Sequence, residues 1–300
     1  MEETKRPRLS RYRRAENPPP LVLGPREQAI LEAVYTHRYL TRNQIVRLLF
    51  NPRSATWVDE KLKRLYHNGY LERLFLPVAP GSGSPPAVYC LDRKGRDLLA
   101  ELRGLNKTEV FWRKTVDTAR DLPFLAHTLA INDFRITLSL ACQQQGFALS
   151  WLDERTLKSS AYKAEVVDAE GQTLVIVPDG YGRLRRASSQ ACFFLELDNG
   201  SQEKKAFRRK VRGHLLFAHG PYQERYQSQS LTVLLVSNQG EARLREMRAF
   251  TREELLASGE EADWELFLLA NLAELAPENI LTQPVWRTVG EERRCALWEG

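Results

Sequence analysis

Between Pro25 and Leu91 the spacing of apolar residues changes from a helical to a strand period, and that change limits the front of the chain to very few folds. Ile30, Leu31, Val34 and Tyr35 recur at helical spacing behind Pro25, which suits a first helical position. Thr41 then stands as an N-cap, with Gln44 at capping-box spacing ahead of Ile45, Leu48 and Leu49. Asn51-Pro52 stops that helix; Ser54 opens a third, with Val58, Leu62 and Leu65 facing inward, and Asn68-Gly69 ends it. Tyr70–Phe75 and Ala87–Leu91 read as strands joined by a Gly/Ser/Pro loop from Pro77 to Pro86. Helix, helix, helix, hairpin predicts a winged helix-turn-helix. Asp92 caps a closing helix whose Leu98, Leu99 and Leu102 face inward.

Charge is unevenly divided along the 300 residues. Residues 1–104 hold nineteen Lys and Arg against eleven Asp and Glu, whereas 105–300 hold twenty-five against twenty-seven. A polyanion is therefore drawn to the front of the molecule. Residues 1–20, with Lys5, Arg6, Arg8, Arg11, Arg13 and Arg14 before Pro18, Pro19 and Pro20, read as a mobile basic arm. It either tracks phosphates or a minor groove, or is a solubilising tail. The winged helix occupies 21–104, a polar linker 105–122 and a second domain 123–300.

The second domain reads as α/β, with a mixed central sheet flanked by helices. A long helix from Pro123 carries Leu125, Leu129, Phe134, Ile136 and Leu140. Strands follow at Phe147–Leu152, Leu174–Asp179, Ala191–Asp198 and Leu231–Ser237, with helices at Ser201–Ala218 and Glu241–Ala249 between and after the last two. The tail from Thr251 reads as another helix and a short strand near Gln283–Trp286.

In a winged helix the third helix fits the major groove and the second braces it. That makes Ser54, Thr56, Trp57, Lys61, Lys63 and Arg64 candidate DNA contacts. Thr41, Arg42 and Asn43 lie where the second helix's N-terminus favours a phosphate, and the wing adds Arg73. The opposing reading is an ordinary solvated face on a protein-binding module.

Alternation places Glu196 and Asp198 on one face of the Ala191–Asp198 strand, with Phe193, Leu195 and Leu197 on the other. If Leu174–Asp179 pairs with it as a hairpin, Asp179 joins them. Carboxylates so gathered repel one another unless a cation sits among them. Mg²⁺ on Asp179, Glu196 and Asp198 would activate water for phosphodiester attack. The following helix presents Glu203, Phe207, Lys210, His214 and Phe217 on one face, which aims Lys210 at the cluster. The rival is a metal-free structural cluster, with Glu196 paired to Lys210 and Asp198 capping the next helix.

The Asp179, Glu196-Leu-Asp198 and Lys210 pattern resembles the PD-(D/E)xK nuclease fold. Together with the winged helix, it is similar over about residues 25–240 to the replication-relaxation proteins of plasmids and mobile elements. Trp151 and Glu154 also resemble a pattern of that family. Asp198 stands where PD-(D/E)xK enzymes carry lysine, so the resemblance implies the fold more than the activity, and catalysis would need Lys210 to take over.

No nucleotide-cradling glycine loop is present, and Gly180-Tyr181-Gly182 reads as a turn. Cys90, Cys142, Cys192 and Cys295 are isolated and read as small buried hydrophobes; of the five histidines, His214 and His219 alone approach metal-ligand spacing, and their separation does not suit one helical face. No apolar run is long enough to span a bilayer, and the N-terminus lacks a signal-type apolar region, so the expected setting is cytoplasmic. Three functions compete: a DNA-binding accessory protein of plasmid or mobile-element replication or mobilisation with a degenerate nuclease-like domain, a Mg²⁺-dependent endonuclease or nickase using Asp179, Glu196, Asp198 and Lys210, and a protein-interaction adaptor. The expected partner is double-stranded DNA, with homodimerisation left open.

Overall fold

The computed structural model describes residues 9–78, 81, 83–112, 121–200, 202–291 and 293–299. Lys5, Arg6 and Arg8, Ser201, and parts of the expected wing loop and linker lie outside them. The chain divides into two compact units, 1–132 and 133–300. Among the described residues no helix is long and apolar enough to cross a membrane.

The first unit follows the order read from the apolar spacing. Helix α1 (Pro25–His37) starts with the Glu27 carboxylate accepting from the Gly24 amide at 3.0 Å. Helix α2 (Arg42–Leu49) carries the predicted capping box: Thr41 Oγ1 accepts from the Gln44 amide at 3.2 Å, and Gln44 Oε1 from the Thr41 amide at 2.9 Å. Helix α3 (Ala55–His67) follows a 3₁₀ turn at Pro52–Ser54, and the chain leaves it through Gly69 at φ 81°, the left-handed stop that Asn68-Gly69 predicts. Ser54 holds the N-cap position without a side-chain bond. A three-stranded antiparallel sheet then forms in the order β1 (Leu40–Thr41), β3 (Ala87–Leu91), β2 (Leu71–Phe75). Strand β1 is too short for an alternation to show. Ile30, Leu31, Val34, Ile45, Val58, Leu62, Leu65, Leu71 and Val88 are wholly buried between helices and sheet. Helix α4 (Arg93–Leu102), capped by Asp92, turns Leu99 and Ala100 inward and leaves Leu102 49% exposed, contrary to its predicted inward position.

The arm is a further correction. Its described part, residues 9–20, is fastened rather than free: Arg14 bonds the Leu71 carbonyl at 3.0 Å and pairs with Glu72 at 3.2 Å and Asp92 at 2.7 Å. The Ala15 amide donates to His67 Nδ1 at 3.0 Å, and Tyr12 packs on Phe75. The guanidinium stacked on Tyr66 and bonded to sheet backbone explains the docking, since its charge is satisfied on the domain itself.

Helix α5 (Leu122–Gln145) begins in the first unit and ends in the second. Leu125 and Leu129 join the Tyr39, Val88 and Cys90 cluster there, while Asn132 donates to the His37 and Tyr39 carbonyls at 3.0 and 2.7 Å.

The second unit is built on a seven-stranded mixed sheet, order β12-β11-β10-β9-β8-β7-β4. The strands are β4 (Ala148–Asp153), β7 (Gly180–Arg186), β8 (Ser189–Asp198), β9 (Thr232–Ser237), β10 (Phe267–Asn271), β11 (Trp286–Thr288) and β12 (Arg294–Cys295). β8, β9 and β10 run parallel and the other pairings are antiparallel. After β4 come the short helix α6 (Glu154–Leu157) and a separate hairpin, β5 (Ala164–Val167) with β6 (Thr173–Ile176). Helix α7 (Lys204–His219) joins β8 to β9, a short α8 (Tyr222–Tyr226) follows it, and α9 (Gly240–Ser258) joins β9 to β10. Cys192 and Phe194 of β8 face the cluster formed with Phe207, Val211, Leu244 and Met247 of α7 and α9. Phe193 points the other way, toward Phe134 of α5 and Trp151.

Leu174–Asp179 is therefore not the partner of Ala191–Asp198. Its strand is the shorter β6, which pairs with β5. The β8 partner is β7, the segment read as a turn. Its glycines lower strand propensity but are required here: a Cβ on Gly180 would lie 2.2 Å from the Trp151 ring, and one on Gly182 2.0 Å from Phe193. The tail also differs: α9 runs unbroken through Thr251, and the buried Phe267–Ala270 run is a central parallel strand. A short apolar run carries no period to separate strand from helix.

Candidate functional site

Two groupings bear on function, one in each unit. In the first unit a cleft of about 910 Å³ is lined by Thr41, Arg42 and Asn43 from the start of α2, Lys63 and Asp59 of α3, and Arg73 of β2. Arg11, Tyr12 and Tyr89 also line it. Arg42 is held on Asp59 at 2.8 Å. Arg73 lies over the Tyr66 ring at 4.2 Å and donates to the Arg11 carbonyl at 2.9 Å; burial pulls its pKa below the ordinary arginine value, with Tyr89 and Tyr66 opposing. The positive end of α2's dipole opens into this space beside four cationic side chains, an arrangement that attracts phosphate.

The structure brings Thr41, Arg42, Asn43, Lys63 and Arg73 together, and adds Arg11. It sends other candidates elsewhere. Lys61 pairs with Glu27 of α1 at 2.5 Å and lies over Trp57, whose ring packs on Phe50 and under Arg26. Arg64 pairs along its own helix with Glu60 at 3.2 Å. Ser54 is half-buried at the start of α3, and Thr56 is exposed outside the cleft. A helix turn of 100° per residue explains this division: Asp59 and Lys63 share one flank, and Trp57 and Lys61 the flank toward α1.

In the second unit Glu196 is 4% exposed on β8, on the face that α7 covers. Its Oε2 accepts from Lys210 Nζ at 2.7 Å and its Oε1 from His214 Nε2 at 2.7 Å. Burial alone would raise its pKa; Lys210 and His214 outweigh that and hold it at about 2. Lys210 is correspondingly raised: burial pulls it down, but Glu196, Asp179 and Asp198 more than compensate. Asp179 precedes β7, with its amide on the Leu195 carbonyl at 2.9 Å and its Oδ2 accepting from the Leu197 amide at 2.8 Å. Asp198, 3% exposed, accepts a two-pronged bond from Arg243 of α9 at 2.9 and 3.0 Å and caps the Gly200 amide at 2.7 Å. It does not cap α7, whose N-cap position is Glu203.

The three carboxylates thus border Lys210, although the strand pairing differs from expectation. Lys210, His214, Arg243 and backbone amides already hold oxygens of all three carboxylates, which makes them a poor donor set for Mg²⁺. Among the described residues, the grouping whose ligand atoms fall within 4.8 Å of one another is His219, Glu260 and Asp263 at the surface, not Asp179, Glu196 and Asp198. His214 and Arg243 are the site residues that sequence reasoning missed. His214 lies one turn beyond Lys210 on the face already read, so its spacing was the available signal; Arg243 reaches in from another helix and gave none. Cys90, Cys142 and Cys192 are buried as expected, whereas Cys295 is partly exposed.

The family described as Replication-relaxation matches residues 31–234. No curated protein matches the chain. Two solved structures of the restriction endonuclease FokI, one bound to DNA, align at 14% and 12% identity with a TM-score of 0.26 each. Each alignment covers 78% of this chain and 45% of the FokI chain, so the protein spans under half of that enzyme's length. A likeness of that degree does not extend to activity.

Proposed function

The chain belongs to the replication-relaxation family, and from that premise we propose that it is a DNA-binding accessory protein of plasmid or mobile-element replication or mobilisation. Its first unit acts as a winged helix that holds duplex DNA, and its second as a nuclease-like scaffold without a working metal centre. The observation that carries the reading is the cationic cleft, where Arg11, Arg42, Lys63 and Arg73 surround the start of α2. Cations gathered at a helix N-terminus neutralise backbone phosphates, which gives affinity and register before any base is read. In this reading Arg42 and Asn43, at the start of α2, hold a backbone phosphate while α3 enters the groove.

A Mg²⁺-dependent nickase using Asp179, Glu196, Asp198 and Lys210 is the second reading. The contact of Lys210 with Glu196 favours it, and the arginine on Asp198 weighs against it. A protein-interaction adaptor is the third.

The test is fluorescence anisotropy with a short labelled duplex at several salt concentrations, wild type beside Arg42→Gln with Lys63→Gln. Each lost phosphate contact reduces the log–log salt slope by about 0.9, so the double variant should lose about 2 from the slope. An unchanged slope removes the cleft from the DNA interface, and salt-independent wild-type behaviour leaves the adaptor.

A further inference from the structure

The second unit as a whole carries no positive surplus, yet arginines converge on one place in it. A cavity of about 260 Å³ between α9 and the β11–β12 hairpin is lined by Arg245, Arg248, Arg287, Arg293 and Arg294. Two carboxylates, Glu241 and Glu291, share the lining. The floor is fixed: Arg248 Nε donates to the Thr288 carbonyl at 3.0 Å, and Arg287 Nη2 to Glu241 at 2.9 Å and Glu274 at 3.1 Å. Arg287 Nη1 is buried with no hydrogen-bond partner among the described residues. Arg294 reaches Glu274 only at 3.7 Å, and Arg245 and Arg293 stand exposed at the rim, with no ion pair among the described residues.

Three carboxylates, Glu241, Glu274 and Glu291, stand against five guanidinium groups, and the cationic surplus that remains at the rim attracts an anion. Arginine's planar fork matches phosphate oxygens in pairs, and a buried, unbonded N–H is costly until an acceptor arrives. We propose that this basin is a phosphate-binding site of the second unit that takes a phosphodiester of the nucleic-acid backbone. Arg245, Arg293 and Arg294 take the phosphate at the rim, above the floor that Arg248 and Arg287 fix through their bonds to Thr288, Glu241 and Glu274. The backbone assignment rests on the reading of the protein as DNA-binding; the phosphate chemistry does not.

The experiment uses the full chain with Arg245→Gln and Arg293→Gln, exposed positions whose replacement leaves the core intact. Anisotropy follows a short labelled duplex across salt concentrations, and calorimetry follows inorganic pyrophosphate. The double variant is expected to bind duplex about tenfold more weakly, with a slope lower by about 2, and to lose the basin's pyrophosphate site while the cleft keeps its own. The Arg42→Gln, Lys63→Gln variant should keep the basin's pyrophosphate site. Loss of pyrophosphate with unaltered duplex binding overturns the backbone assignment and gives the basin to a free phosphorylated molecule. Unaltered binding of both ligands overturns the site while the cleft in the first unit stands. If wild type binds no duplex but the variant loses pyrophosphate, the basin stands and the DNA-binding reading falls.

Discussion

Replacing Glu196 with glutamine tests whether the carboxylates of the second unit hold the fold or strain against it. The substitution keeps the shape and removes the charge that faces Lys210 Nζ and His214 Nε2, each at 2.7 Å. Breaking one side of a buried pair costs about 3–5 kcal/mol, and because the Lys210 side chain is 30% exposed, water recovers part of this, leaving roughly 2–3 kcal/mol. For a unit of this size that lowers Tm by about 5–10 °C. Circular dichroism melts of the full chain at neutral pH read the shift. Carboxylates that mainly repelled one another would respond oppositely, because losing one charge relieves the repulsion. A Tm equal to or above wild type would therefore refute the structural role. The pH dependence gives the same test a second axis. The folded pKa of Glu196, about 2, lies below its ordinary 4.5, so its stabilisation is complete at neutral pH and is lost as pH falls from 4.5 toward 2. The gap between wild type and Glu196→Gln should close across that window, and a constant gap would place the effect in packing.

Other expectations follow from single contacts. Arg243→Met strips Asp198 of its two-pronged partner and should cost about 3 kcal/mol in chemical denaturation, since it strands a buried charge. Gly182→Ala would drive a methyl to 2.0 Å from the Phe193 ring, and melts should show a loss of about 1–3 kcal/mol, whereas Gly171→Ser, which meets nothing within 4 Å, has only its positive φ to penalise it. Thr41→Ala removes the cap of α2 and should cost about 1 kcal/mol, while also weakening duplex binding by disordering the Arg42 and Asn43 turn.

The first unit was legible because its signals are local. Thr41 with Gln44, Pro25, Asn68-Gly69 and the apolar run Ala87–Leu91 behind a Gly/Ser/Pro loop each fix their own element. The docked arm was not, since Arg14 finds Asp92 and Glu72 only once the hairpin exists. In the second unit the alternation of β8 revealed the shared face of Glu196 and Asp198, and helical spacing aimed Lys210 at it. The β7 strand was hidden because Gly180 and Gly182 serve the Trp151 and Phe193 rings, a tertiary requirement that looks locally like a turn. Arg243 on Asp198 and the five arginines of the basin come from segments distant along the chain, and charge counts average such convergence away.

Supercoiled plasmid incubated with the full chain and Mn²⁺, then run on one gel, separates duplex binding from cleavage. The expected result is a retarded band whose plasmid is still supercoiled after deproteinisation. Nicked circles that vanish with Glu196→Gln, or a plasmid that is not retarded at all, would contradict it.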